Sequence, residues 1–204
     1  IKHNNIIIDP GIGFGKNLKH NMNLIYNISI FHSLGFPILV GTSRKKFKKK
    51  YPKTLLSIDT RKSLIMNFSI KHNVDIVNDV SCFKFDQKSF DTIKNKNLWK
   101  IIHHMQGTPQ TMQNNPKYNN VLLDIYDFFE EEIEKFKKFK HNDKIILDPG
   151  IGFGKNLKHN LMILNKISLF HSLGFPILIG TSRKKFINQI SGKYDTKERI
   201  GGTL

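Results

Sequence analysis

Several short apolar runs in this chain are followed directly by acidic, amide or basic residues whose side chains could do chemistry. A carboxylate at the end of a buried strand is costly unless it accepts hydrogen bonds, and several around one opening could receive the N–H donors of a flat heterocycle. A nearby lysine would supply cationic donors to a carbonyl group or an anion. For each single carboxylate, a helix cap or a turn contact stays open as the alternative. The candidate residues are Asp59, Asn78 with Asp79, His104 with Gln106, Asp148, and Ser182, Arg183 and Lys184.

The glycine-rich loop from Asp148 to Asn156 does not have the spacing of a nucleotide-binding motif. Its glycines follow the pattern Gly-x-Gly-x-Gly-Lys, which differs from the dinucleotide fingerprint. A phosphate-binding P-loop would also need Ser or Thr after Lys155, where this chain has Asn156. The spacing therefore argues against both an ATPase and a dinucleotide-binding fold.

The histidines and the cysteine of the chain do not form a recognisable metal or nucleophile motif. His103 and His104 are adjacent and have no further spaced ligand, so the sequence predicts turn residues at a strand end and no zinc site. Cys82 is the sole cysteine, which rules out an intrachain disulfide and fits a reducing, cytoplasmic location. Because Cys82 has no His partner in the sequence pattern, we expect a small buried residue.

One segment of the chain occurs twice. The 39 residues from Asp9 to Phe47 reappear from Asp148 to Phe186, and 31 of the 39 positions are identical. Every Gly, Asp, Pro and Arg of the two copies is unchanged. Two copies are too few for a stacked repeat protein, so we interpret the segment as a strand–loop–helix–strand unit that is present twice in one chain.

The candidate residues would be positioned by short, continuous, largely β-branched apolar runs, which are typical of strands covered on both faces. Helical stretches alternate with these runs, so the strands should be parallel and joined by right-handed crossovers. The carboxyl ends of such strands usually carry the active site. The seven predicted strands are Ile6–Ile8, Pro37–Val40, Leu55–Ile58, Ile76–Val77, Ile101–Ile102, Ile145–Leu147 and Pro176–Ile179.

Two helices are clear from apolar periodicity. The first spans Tyr118–Lys140, and the second follows Asn160 and ends at Gly174, a residue suited to a left-handed C-terminal cap. The apolar residues that define them are Leu122, Ile125, Phe129, Ile133 and Phe136 in the first helix, and Leu161, Leu164 and Ile167 in the second.

Seven strand–helix units predict an α/β fold of the (β/α)8 TIM-barrel type that is incomplete. An open parallel sheet is the alternative, and we favour the barrel because seven units would make an unusually wide open sheet. At 204 residues the chain suits one domain. Within it we distinguish a duplicated βαβ cassette at residues 1–50, called the first cassette below, from a barrel segment at residues 51–204.

The formal net charge of +17 raises the alternative of a nucleic-acid-binding protein. The lysines are scattered, however, and no basic helix or aromatic RNA-binding motif accompanies them, so we expect no nucleic-acid partner. No apolar run approaches the roughly 20 residues that span a bilayer, so we expect no membrane partner either. The basic balance favours anionic small-molecule substrates.

Five motifs together resemble dihydropteroate synthase. The resemblance covers Leu55–Leu204 and matches the third to seventh strands of that family's barrel, while the first cassette resembles strands six and seven again. The order and spacing of the motifs are those of the family, and the pair formed by the third and fourth motifs is the most specific. The motifs are SIDTRK (residues 57–62), VNDVS (77–81), HMQGTPQTMQ (104–113), LDPGIGFGKN (147–156) and GTSRKKF (180–186).

The resemblance implies a transferase of folate biosynthesis that condenses p-aminobenzoate with 6-hydroxymethyl-7,8-dihydropterin pyrophosphate. It assigns pterin binding to Asp59, Asn78 and Asp148, and both pterin binding and the catalytic role to Lys184. It places p-aminobenzoate near Phe153 and Lys185, although the family often has Ser at the position of Lys185. The resemblance is also compatible with a homodimer.

The chain departs from the family at the motifs of its first, second and eighth strands, which are absent. Those motifs supply the Mg²⁺ ligand and the groups that hold pyrophosphate, so Mg²⁺ is expected for the family while this chain offers no metal ligand for it. The alternative to an active enzyme is therefore a catalytically dead pterin-binding fragment or relic. We expect the first cassette to dock against the Leu55–Ile58 strand, because bare strand edges are costly.

Overall fold

The computed structural model describes residues 55–181 and 184–191, the backbone of 39–41, and positions 11, 20, 23, 24, 27 and 30. Five strands form one parallel sheet whose strand order follows the chain. The strands are β1 (Leu39–Gly41), β2 (Leu55–Asp59), β3 (Ile76–Asp79), β4 (Trp99–His103) and β5 (Ile145–Asp148).

The sequential order of these strands is that of a barrel wall. A doubly wound open sheet reverses its strand order at a switch point, and the five described strands show no such reversal. The α/β class and the parallel sheet predicted from the sequence are therefore confirmed. The first predicted strand, Ile6–Ile8, lies outside the described residues.

The sequence predicts a full strand at Pro176–Ile179, and this prediction is wrong. The segment forms a single parallel bridge, Leu147 with Ile177, through two backbone hydrogen bonds of 2.9 and 2.8 Å between Leu147 and the 176–178 backbone. Pro176 has no N–H group, so it accepts a bond from Leu147 but cannot extend the ladder as a donor.

The sheet is buried on both faces, which explains its continuous apolar runs. One face packs on the helices through Val77, Ile102, Ile145 and Leu147. The opposite face, called the inner face below, carries a separate apolar cluster. The buried members of that cluster are Ile76, Ile101, Ile146 and Leu178.

The longest helix packs on the face of the sheet opposite the inner face. It spans Val121–Lys137, within the predicted Tyr118–Lys140, because the side chain of Asn120 accepts hydrogen bonds from two backbone N–H groups of the first turn. Its predicted apolar stripe is confirmed, and Glu132 is buried beside it. The six described helices are α1 (Ser63–Ile70), α2 (Ser89–Ile93), α3 (Val121–Lys137), α4 (Leu157–Asn165), α5 (Ser168–His171) and α6 (Lys185–Ser191).

The second predicted helix was wrong in its start and its continuity. It begins at Leu157 because Asn156 forms a capping box with His159, and the chain leaves the helix at Lys166 before the separate short helix α5. Leu161, one of the apolar residues that define the predicted helix, is 43% exposed, while Ile163 is buried. Gly174 does follow the helical region with φ +83°, as predicted.

The described strand of the first cassette, β1, docks on the Leu55–Ile58 strand, as the sequence predicts. β1 pairs in parallel with β2, from Leu39 opposite Leu55 to Gly41 opposite Ser57. The sheet edge at β2 is thereby covered.

The helices in the described part of the chain are all too short or too polar to cross a membrane.

Candidate active site

Four successive strands end in polar side chains on the inner face of the sheet. Asp59 of β2 lies opposite Asn78 of β3, and His103 of β4 lies opposite Asp148 of β5. Each of these residues is an even number of positions from a strand residue in the inner-face cluster, so alternation places all four on that face. The structure therefore brings three predicted residues, Asp59, Asn78 and Asp148, to one end of one face, and adds His103.

Because successive side chains of a strand point to opposite faces of the sheet, Asn78 and its neighbour Asp79 lie on different faces. The carboxylate of Asp79 points to the helix-covered face, where its Oδ1 accepts hydrogen bonds of 2.8 and 2.6 Å from the N–H and hydroxyl of Ser81. Burial raises the pKa of Asp79. Oδ2 of Asp79 and Oδ1 of Asn78 are both buried and find no hydrogen-bond partner among the residues the structure describes. Because only Asn78 lies on the inner face, it is the member of the pair that can bind a ligand beside Asp59 and Asp148.

Asp148 serves the turn and the site with different oxygens. Its Oδ1 accepts a 2.8 Å hydrogen bond from the N–H of Gly150, which is the turn contact that the sequence left open as an alternative. Its Oδ2 lies 3.8 Å from Nε2 of His103. Because only one oxygen is used by the turn, the second can accept from a bound molecule.

His103 was wrongly interpreted from the sequence as a turn residue. It is the last residue of β4, only 2% exposed, and its Nδ1 lies 3.2 Å from the carbonyl oxygen of Val80. Its ring packs edge-to-face on Phe153 at 4.7 Å between centroids. Burial, with a smaller contribution from Lys155 and Lys184, lowers the pKa of His103, and Asp148 partly opposes this shift.

His104 and Lys155 form a buried pair behind the site. The Lys155 ammonium is 3.0 Å from Nδ1 of His104 and 2.9 Å from the carbonyl oxygen of Phe153, and the side chain is 3% exposed. Burial lowers the pKa of Lys155 to about 7 and that of His104 to about 2. The pair joins the loop after β4 to the loop after β5.

The predicted residues His104 and Gln106 therefore have structural roles. His104 packs against Lys155 and the ring of Phe128, and the amide of Gln106 holds the backbone of Lys117 with bonds of 2.6 and 2.8 Å. Cys82 is buried, as expected, and burial raises the pKa of its thiol.

Lys184 extends across the glycine-rich loop at Asp148–Asn156 toward the site. Its ammonium donates to the carbonyl oxygen of Ile151 and lies 4.7 Å from the ring centre of Phe153. A side chain at Gly152 would place Cβ 2.9 Å from Cδ of Lys184, so glycine makes this path available. Burial lowers the pKa of Lys184, while Asp148 acts in the opposite direction.

The remaining predicted residues of the last motif are described only in part. Lys185 is the first residue of α6, but its side chain lies outside the described residues, as do Ser182 and Arg183. Phe153 is half-buried between His103 and Lys184, in contact with both.

Two cavities flank these residues. One of about 250 Å³ is lined by residues that include Arg61, His103 and Met105, and the other, of about 380 Å³, by residues that include Phe153, Lys155 and Lys184. The space around His103 and Phe153 is thus bordered by cationic side chains. This charge favours ligands that carry anionic groups.

The comparisons with known proteins agree with each other. A family model described as pterin binding enzyme matches residues 1–54 and, in a second overlapping match, 48–204. The chain is 35% identical over 149 residues to a dihydropteroate synthase from Synechocystis sp., and 35% identical over 150 residues to one from Escherichia coli. These matches cover 72% and 73% of this chain, and the chain spans about half (52%) of the length of each relative.

A solved structure extends the similarity to nearly the whole chain. The dihydropteroate synthase of Yersinia pestis, in a complex with a sulfonamide drug, superposes with a TM-score of 0.74 at 26% identity. The superposition covers 96% of this chain and 79% of that protein. The α/β barrel class expected from the sequence therefore agrees with the fold of a solved dihydropteroate synthase.

Proposed function

This chain belongs to the pterin binding enzyme family, and on that premise we propose that it is a transferase of the dihydropteroate synthase type, acting in folate biosynthesis. Its substrates would be 6-hydroxymethyl-7,8-dihydropterin pyrophosphate and p-aminobenzoate. The observation that carries the proposal is the row of Asp59, Asn78, His103 and Asp148 at the ends of four adjacent strands. The names of the relatives supply the reaction.

The pterin would bind by its hydrogen-bonding edge to the inner-face row. Asp148 Oδ2 and Asp59 offer acceptors for ring N–H groups, and the buried Oδ1 of Asn78 gains the donor that the described residues do not give it. A ligand that pairs such a group removes a desolvation cost of about 1–3 kcal/mol. Lys184 would donate to the carbonyl group of the pterin.

The p-aminobenzoate ring would lie on the side of Phe153, whose face already contacts the ammonium of Lys184. Lys185 follows directly in α6 and would attract the benzoate carboxylate. This assignment places Lys184 between the two substrates, and we propose Lys184 as the catalytic residue.

In the reaction, the amine nitrogen of p-aminobenzoate forms a bond to the pterin methylene carbon while the bond from that carbon to the pyrophosphate oxygen breaks. Pyrophosphate leaves with the electron pair, and the amine releases one proton to solvent. The residues bind, orient and stabilise charge, and none forms a covalent bond to substrate. Cys82 is unsuited to such a bond because it is buried with a raised pKa.

Magnesium belongs to the proposal only through the family. Among residues 55–181 and the other described positions, no group of three or more His, Cys, Asp or Glu side chains could hold a metal ion. The described residues thus do not fit a protein-built magnesium site, and no step above depends on one. A cytoplasmic location, a homodimer, and small-molecule rather than nucleic-acid partners complete the proposal.

A coupled assay of pyrophosphate release tests the proposal on the whole chain. We expect release that requires both substrates and that falls in the Asp148→Asn variant. Pterin binding without any release would favour the alternative of a catalytically dead pterin-binding relic, which the absent motifs of strands one, two and eight support. Salt-sensitive binding to RNA that pterin pyrophosphate does not displace would instead favour the nucleic-acid alternative.

A further inference from the structure

His103 and Asp148 face each other from neighbouring strands at the buried end of the site. They are direct partners in the β4–β5 ladder, and Nε2 of His103 lies 3.8 Å from Oδ2 of Asp148. His103 is 2% exposed and Asp148 is 9% exposed, so solvent has little access to either. The hydrogen-bonding state of the two facing atoms therefore decides what can bind between them.

The tautomer of His103 follows from its other ring nitrogen. Nδ1 lies 3.2 Å from the carbonyl oxygen of Val80, and a carbonyl only accepts hydrogen bonds, so Nδ1 carries the hydrogen. The groups that face the ring are the carboxylate of Asp148 and the ammonium groups of Lys155 and Lys184. Burial and the two lysines lower the pKa of His103 against the opposing effect of Asp148, so the ring is neutral at pH 7.

A neutral ring with hydrogen on Nδ1 presents a lone pair at Nε2. Asp148 Oδ2 also presents lone pairs, so neither atom can donate to the other across the 3.8 Å between them. A nitrogen at about 2.9 Å from each acceptor reaches both. The geometry thus fits one group that carries two N–H bonds.

We propose that His103 is a specificity residue of this site, and that its Nε2 and Oδ2 of Asp148 together accept both hydrogens of an amino group on the ligand. This assignment rests on the proposed function, under which the group is the 2-amino group of the pterin. A ring carbonyl at the same position would place a third acceptor beside these two acceptors, and no hydrogen bond could form. A ligand with that carbonyl should therefore bind more weakly. The pair therefore selects 2-amino heterocycles over their 2-oxo analogues.

Phe153 positions the histidine for this role. Its ring meets His103 edge-to-face at 4.7 Å and an interplanar angle of 86°, while the Val80 carbonyl accepts from Nδ1 of the imidazole. The ring plane is thereby fixed without using Nε2.

Calorimetric titration of the full chain with two probes tests the inference. The probes are 6-hydroxymethylpterin and the matching pteridine with a carbonyl in place of the 2-amino group. We expect wild-type protein to prefer the amino compound by at least about tenfold, and His103→Phe to lose about tenfold in affinity for it alone. His103→Gln, which keeps a carbonyl acceptor, should retain most of the preference.

The matched control is His72→Phe, because the Nδ1 of His72 also contacts a backbone carbonyl, at 2.6 Å, but its ring lies beyond the end of α1 and away from the inner face. It should change neither affinity. Nitrogen-15 NMR of the histidine rings, assigned with the two variants, gives a ligand-free readout. We expect Nδ1 of His103 protonated and Nε2 unprotonated at pH 7.

Each outcome separates this inference from the proposed function. Pterin binding with an unchanged preference in His103→Phe, or a protonated Nε2 in the free protein, overturns the specificity role and leaves the proposed function standing. Wild-type protein that binds neither probe while its Nε2 is unprotonated overturns both. If His103→Phe fails to fold, His103→Leu takes its place, and an unchanged preference in that variant overturns the specificity role.

Discussion

At the scale of single residues, Asp148 shows how one side chain can serve the fold and the site together. Oδ1 fixes the turn through the N–H of Gly150, while Oδ2 faces His103. The turn contact and the binding role were alternatives in the sequence, but the structure leaves room for both because the turn uses only Oδ1. A substitution that keeps Oδ1 can therefore isolate the function of Oδ2.

Asp148→Asn is expected to weaken pterin binding by about 1–3 kcal/mol, because an amide donor replaces the acceptor that faces the ligand. The free energy of unfolding should change less, since the amide oxygen can still accept from Gly150. Titration calorimetry and urea unfolding check the two effects. The matched control is Asp9→Asn, the same substitution in the first copy of the motif, and equal losses of affinity in both variants would contradict the assignment of the site to Asp148.

Lys155 is a buried lysine whose ammonium is held by neutral acceptors. Burial lowers its pKa in the folded protein to about 7, while the unfolded chain keeps the ordinary value near 10.4. Below pH 7 both states bind the proton and the burial penalty is complete. As pH rises from 7 toward 10, the folded state releases a proton that the unfolded state still holds, so folding becomes more favourable.

We therefore expect the free energy of unfolding of wild-type protein to rise relative to Lys155→Met by up to about 1.4 kcal/mol per pH unit between pH 7 and 10. Urea unfolding of both proteins at pH 7, 8.5 and 10 measures this difference. A constant difference across the three pH values would show that Lys155 keeps its ordinary pKa. Lys16→Met, the twin substitution in the first copy, provides the control.

At the scale of elements, the loop after β5 joins two strand ends through its backbone. Gly150 has φ +67°, and a Cβ there would lie 1.9 Å from the carbonyl oxygen of His104. The loop ends at Asn156, whose side chain caps α4, and the side-chain oxygen of Asn160 accepts a 2.8 Å hydrogen bond from the N–H of Gly152. The glycines are thus required by close approach to the neighbouring loop as well as by conformation.

Gly150→Ala is expected to destabilise the protein by clearly more than Gly174→Ala. Both positions have positive φ, and the left-handed conformation costs a side chain about 1–2 kcal/mol. A Cβ at Gly174 meets no atom within 4 Å, so that variant measures the conformational cost alone. Thermal and urea unfolding should show a further loss at Gly150 from the clash with His104, and equal losses would mean that the loops separate freely.

At the scale of the whole molecule, the duplicated segment is used in two different ways. The second copy follows β4 and α3 in the chain and supplies Asp148, Phe153 and Lys184 to the site. The described part of the first copy, β1, instead pairs with β2. Sequence neighbours decide this difference, because a strand usually pairs with its predecessor.

Deletion of residues 1–50 is expected to lower thermal stability and solubility, because it removes β1 and leaves the hydrogen-bonding edge of β2 bare. Pterin affinity should stay within a few-fold of the full chain. A shorter deletion of residues 1–35, which retains β1, is the matched control. Complete loss of pterin binding in the 1–50 deletion would show that the first copy builds the site.

The sequence by itself determined the parallel α/β architecture, the apolar stripe of α3 and three of the polar strand ends. These features depend on local periodicity and on residues directly after a buried strand, so they can be read without knowing any partner. The docking of the first cassette on β2 also followed from the cost of a bare strand edge.

Only the tertiary structure decided which member of each adjacent polar pair faces the site. A strand turns successive side chains to opposite faces, so the roles of His103 and His104, or of Asn78 and Asp79, depend on where the strand ends and on its register. The burial of Lys155 depends on contact with His104, 51 residues earlier in the chain. The division of the helix after Asn156 and the reduction of Pro176–Ile179 to a bridge likewise depend on caps and hydrogen bonds that hydrophobic periodicity does not encode.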